Sequence, residues 1–364
     1  MRKTIILLLL ALLLAVPVNA ADVTGELTDL FGASSLEDGL DADQQELLGE
    51  NKPTESTGFF HAVQELFAKA ILGTGSDLRS AAAMAAMVLA VCMVCGLCGT
   101  LPGAPTVRAV TMAGLLGIAA VCASGVNSLL QLGTETIGDM VSFSQLLLPV
   151  LSAATISSGA ITSGGAIYGI TVLFSDLLMG CVTKVLIPMT YVLLALALAD
   201  CALGNSMLRR FRELLSWLIR TGLKAIVYTF TGFVTITQVI SGTADTMTAK
   251  AAKLTLSSVV PVVGGIISDA TDTVLVSAAL LKSSIGVFGM LAILAICVVP
   301  FFRIGIHYLI MKVTAAIAGA VAEESLTSMV DAVGEAMGLL LGMTGACALL
   351  LLISTVCSLK AVGY

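Results

Sequence analysis

The sequence predicts an all-α, polytopic helical membrane protein with about eight transmembrane helices (seven to ten), after a signal peptide and a short acidic exported segment. Three observations carry this. Of 364 residues, 57% are hydrophobic and only 12% are charged, about half the charged share of a soluble globular domain. There is too little polar surface to cover an aqueous globule of this size. The apolar residues also fall into successive runs close to the roughly 20 residues that cross a bilayer as a helix.

The first run belongs to a targeting segment at residues 1–20. Arg2-Lys3 precede an apolar stretch from Ile5 to Val16, and Val18-Asn19-Ala20 make a small-residue exit. That is the order of a secretory signal peptide. Twelve apolar residues are short for a span, so cleavage after Ala20 is expected over an uncleaved anchor. Residues 21–79 then form an acidic extracytoplasmic segment: from 22 to 79 there are twelve acidic and three basic residues. Leu27, Leu30 and Phe31, and later Phe59, Phe60, Val63, Leu66 and Phe67, recur at helical spacing, which predicts two short amphipathic helices. The segment reads either as a solvated leader or as a docking face for a partner.

Residues 80–364 form the polytopic membrane domain, with apolar runs at 80–101, 108–130, 141–160, 166–183, 185–203, 217–241, 283–303 and 336–357. The stretch from Ala166 to Ala199 is too long for one crossing, and Lys184 with Pro188 marks the expected break. With the mature N-terminus outside, five spans bring 204–216 to the cytoplasm. Arg209, Arg210 and Arg212 sit there, as the positive-inside rule asks. Gly242 to Lys282, laced with Thr, Ser, Asp269 and Asp272, reads as an external amphipathic segment or as a further pass; recurring Pro spacings raise the alternative of a tandem repeat.

Candidate chemistry is sparse. Two histidines, His61 and His307, leave little material for a metal site or a His-based triad, so no enzyme activity, metal or cofactor is expected. There is no phosphate-binding loop of the G-x-x-x-x-G-K-[ST] kind. Net charge of -6 without a dense cationic cluster argues against nucleic acid. Cys92, Cys95 and Cys98 have a spacing seen in iron–sulfur proteins, but inside an apolar helix they read as small packing residues. Asp176 is the clearest intramembrane ionisable group, placed either at a pore or subunit contact or in a hydrogen bond to a neighbouring helix. Gly334, Gly338 and Gly342 make a G-x-x-x-G-x-x-x-G row entering the last span, for close helix packing within the chain or against a partner.

From Val260 through Pro261 to Gly265, then Ser268-Asp269-Ala270-Thr271-Asp272-Thr273-Val274 and Ser277 to Lys282, the sequence resembles the stage III sporulation protein AE family of endospore formers. The resemblance implies a multi-pass subunit in the mother-cell (outer forespore) membrane. There it would belong to a channel or feeding-tube complex that links mother cell and forespore and supports late forespore gene expression. It further implies ring-forming and ATPase proteins encoded together as partners. It carries over no catalytic residue; Pro261, Asp269 and Asp272 transfer only as a signature, possible pore or partner contacts alongside Asp176. A stand-alone secondary transporter is the alternative.

Overall fold

A computed structural model describes residues 36, 39–48, 56–99, 104–157, 164–203, 206–259 and 264–360. Every regular element among them is helical: α1 (Ala42–Leu48), α2 (Ser56–Gly73), α3 (Gly75–Gly99), α4 (Ala104–Ser157), α5 (Gly164–Cys181), a π turn (Val182–Leu186), α6 (Ile187–Leu203), α7 (Ser206–Val259), α8 (Gly264–Val321) and α9 (Glu324–Lys360). The targeting segment at 1–20 and the apolar positions Leu27, Leu30 and Phe31 lie outside the described residues, as does Pro261.

The side-chain contacts fix how the long helices run. On α3 and α4, Cys95 meets Gly114 and Met84 meets Gly125, numbers falling on one helix as they rise on the other, so the two are antiparallel. Asp176 and Tyr191 reach back to Gln145 and Asn127, so the run α5–π–α6 descends along α4. Tyr308 against Gly338 and Phe301 against Gly345 make α8 and α9 antiparallel, while Thr111–Glu323 and Gly133–Leu340 make α4 and α9 parallel. The result is an up-and-down bundle. One of its ends collects the C-terminal ends of α3, α6 and α8 with the N-terminal ends of α4, α7 and α9. The last helix is the hub: it touches α4, α5, α6, α7 and α8.

Five helical stretches are long and apolar enough to cross a membrane among the described residues: Gly75–Cys98, Ala109–Ala154, Gly169–Leu203, Ser284–Val321 and Glu324–Val356. The expectation was eight spans, and the difference has local causes. The runs at 108–130 and 141–160 are one helix. The polar stretch between them stays helical because its groups find partners on the helix itself: Thr134 and Thr136 donate to the Leu130 and Leu132 carbonyls (2.8 and 2.7 Å), and Gln131 to Glu135 (2.8 Å). The 46 residues from Ala109 to Ala154 rise about 69 Å, more than twice a hydrocarbon core, so the bilayer holds only part of α4.

The runs at 166–183 and 185–203 are also continuous, which corrects the expected break at Lys184 and Pro188. Pro188 has no N–H to give to the Lys184 carbonyl and its ring would crowd that carbonyl. The chain accommodates it with a π turn in which the Ile187 N–H bonds the Val182 carbonyl five residues back. One wider turn replaces a helix end. The remaining run, 217–241, lies inside α7; of the undecided stretch 242–282, residues 242–259 are helical backbone at the end of α7 and residues 264–282 at the start of α8.

The described part of the acidic segment is tied down. Phe67 on α2 meets Phe302 on α8 edge to face, centroids 5.9 Å apart, and Leu66 and Ala70 bury against Ala295 and Val298. Asp77 at the start of α3 pairs with Arg303 at 3.0 Å, and Leu36 and Leu40 are buried in the main core. Between α2 and α3 only Thr74 intervenes, its hydroxyl donating to the Ala70 carbonyl at 2.5 Å.

Candidate functional site

Ser328, Asp331 and Glu335 stand at i, i+3 and i+7 on α9, hence on one face of its first turns. Two other helices bring cations to that face. Arg212 of α7 donates to Ser328 Oγ at 3.2 Å and pairs with Asp200, at the end of α6, at 3.5 Å. Both charged side chains of that pair are largely buried, so each depends on the other. Two turns on, Arg220 and the Ser216 hydroxyl share Glu335 Oε1, the arginine at 2.6 Å. From the opposite side Lys312 of α8 reaches Asp331 at 2.6 Å. Below these, Thr111 of α4 donates to Glu323. The seam joins donors and acceptors across five helices, and each of these charges has a partner.

The glycine row continues upward from this seam and meets the same chain. A Cβ on Gly334 would lie 3.6 Å from the Lys312 methylenes, one on Gly338 2.8 Å from the Tyr308 ring, and one on Gly342 3.3 Å from Leu223. Gly334 and Gly338 therefore face α8, and Gly342 faces α7. Gly345, outside the row, is as tight as its members, with Phe301 at 3.0 Å.

Asp176 belongs to a separate contact. Ser144 Oγ and Gln145 Nε2 of α4 donate to its two oxygens at 3.1 and 3.3 Å. The structure does not join it to the α9 seam. Asp269 and Asp272 lie on the helical backbone of α8, three residues apart. In α3, Cys92 is buried and Cys95 Sγ sits 3.8 Å from the Val110 carbonyl of α4.

Sequence reasoning passed over Lys312, Ser328, Asp331 and Glu335. Their signal was present: the i, i+3, i+7 polar spacing at the start of the glycine row, and a lysine inside the apolar stretch Ser284–Val321 that precedes it.

Residues 54–361, which include the whole bundle from α2 to α9, match the profile of the stage III sporulation protein AE family. The chain belongs to that family. It is 25% identical over 184 residues to the stage III sporulation protein AE of Bacillus subtilis (strain 168), an alignment covering 50% of this chain and 46% of the relative. The match thus spans under half the length of that relative. No solved structure matches. Family and helices together make this member of the AE family a sporulation membrane protein.

Proposed function

We propose that this AE-family chain is an integral membrane subunit of a channel or feeding-tube complex between mother cell and forespore, and that it supports late forespore gene expression. It would reside in the mother-cell membrane, with ring-forming and ATPase proteins as partners and no catalysis of its own. The observation that carries the reading is the family match across the bundle. The site geometry is in keeping with a scaffold: Asp331 and Glu335 of α9 are spent on cations of α8 and α7, and Asp176, the group a transporter would need free, is engaged by Ser144 and Gln145.

Purification of the tagged full chain from sporulating cells tests this. Co-isolation of a ring protein and an ATPase is the expected result; recovery alone or as a homo-oligomer would support a stand-alone transporter. The exported start at Ala21 and a cytoplasmic 204–216 are tested by labelling single cysteines placed at positions 50 and 210. Label reaching 210 from outside would reverse the topology. Asp269→Asn with Asp272→Asn should leave membrane abundance normal while stopping late forespore expression, and wild-type spore yield would remove both carboxylates from the site.

A further inference from the structure

The first turns of α7 have two unlike faces. Arg212, Ser216 and Ile219 turn inward, the first two into the polar seam and the third into the core. On the other side Met207, Phe211, Leu214, Trp217 and Leu218 are all exposed, Trp217 at 62% and Phe211 at 49%. Residues 207, 211, 214 and 218 follow the i, i+4, i+7, i+11 pattern of a single stripe. Arg210 flanks this stripe, is exposed, and has no acidic partner among the described residues, whereas neighbouring Arg209 pairs with Glu213 at 3.4 Å.

The stripe continues around the bundle. At the same end, Leu203 closes α6, Leu97 closes α3 and Val321 closes α8, all exposed. That these ends lie together follows from Arg212 bridging to Asp200 and Ser328, and from Gly96 lying against the Val321 carbonyl. An apolar collar running over four helices is what a bilayer covers. An indole above a cationic turn is the order of groups at a membrane–water boundary, where the ring sits at the headgroup level and long basic side chains extend outward.

We infer that the N-terminal turns of α7 form an anionic-lipid contact, with Phe211, Leu214 and Trp217 in the outer acyl region and Arg210, assisted by Arg209, binding headgroup phosphate. An anionic lipid fits better than a zwitterionic one because Arg210 brings a charge that no acidic side chain among the described residues neutralises. The inference depends on the membrane assignment of the bundle and not on the sporulation complex, so it is tested on the purified protein alone.

Trp217 is the only tryptophan in the chain, which makes it a clean probe. The full chain is reconstituted in phosphatidylcholine vesicles containing a fixed minor fraction of phosphatidylglycerol, with bromine on one lipid class at a time at shallow or deep acyl positions. Shallow bromines should quench Trp217 more than deep ones. Brominated phosphatidylglycerol should be enriched around Trp217 by about fivefold over its bulk fraction, the equivalent of about 1 kcal/mol for one arginine at an anionic surface. Arg209→Gln with Arg210→Gln should abolish the enrichment while preserving the depth profile. High salt on the unaltered protein should do the same, which covers a variant that fails to fold. Equal quenching by the two lipid classes in the unaltered protein would overturn the headgroup contact. Absence of quenching by either would overturn the lipid face altogether and point to a protein surface covering it, such as a second copy.

Discussion

Between Glu324 and Glu335, α9 adds polar and charged contacts to its buried apolar side: Arg212 and Arg220 from α7, Lys312 from α8. From Ala336 to Val356 it meets the same two helices, and α4, through Leu223, Tyr308, Phe301 and Leu340 packed at or beside glycines. Two threonine hydroxyls in that half turn back on their own helix, Thr344 to the Leu340 carbonyl at 3.1 Å and Thr355 to Leu351 at 2.9 Å. Among lipid tails, apolar contact between helices gains little from the hydrophobic effect, so close packing and the small residues that permit it must supply the attraction. Ion pairs contribute less net energy but fix which helices meet and in what register, since a slipped register would strand a charge. Packing thus holds the bundle while the seam chooses its arrangement.

The comparison breaks most directly at Gly338. Leucine there must displace the Tyr308 ring, and Gly338→Leu should cost about 3 kcal/mol, lowering thermal stability in detergent and preventing recovery of the complex while the chain still inserts. Gly334→Leu, facing flexible Lys312 methylenes, should cost less. Equal effects at the two sites, or normal complex recovery with Gly338→Leu, would remove packing from its leading place.

Next in size is the buried pair. Arg212→Met strands Asp200 and should cost about 2 kcal/mol, part of which Asp200→Leu in the same chain should restore. Strictly additive losses would mean that the pair does not act as a unit. Smaller again is Glu335→Gln, about 1 kcal/mol, because Arg220 is more than half exposed and water replaces much of the lost attraction. Least of all is Asp331→Asn, a few tenths of a kcal/mol, since both ends of the Lys312 pair are open to solvent. Chemical denaturation of the four variants in one detergent tests the ranking. A loss at Asp331 as large as at Arg212 would show that exposure does not govern the seam.

Asp176 sharpens the contrast between structural and functional charge. Asn at this position keeps an acceptor for Ser144 or Gln145, so Asp176→Asn should unfold within about 1 kcal/mol of the unaltered chain. Loss of spore formation with stability intact would give the carboxylate a role beyond its hydrogen bonds, and full sporulation would confine it to the α4–α5 contact.

Much of this was legible in the chain itself. Composition determined the membrane class, and apolar runs close to 20 residues determined that its spans are helices, which satisfy their own backbone in lipid. Periodicity located α2 through Phe67 and Leu66, and glycine spacing located the tight half of α9. Tertiary structure decided what local signals leave open. Thr134, Thr136 and Glu135 look like a loop between two spans, yet their hydrogen bonds to the same helix let α4 pass through. Pro188 looks like a helix end, yet a π turn carries the run onward. The partners of Glu335, Asp331 and Asp200 come from other helices, Arg220 lying 115 residues from Glu335 in the chain. A window of sequence registers the cost of a charge in an apolar run, but which distant cation offsets that cost is settled only when the helices pack.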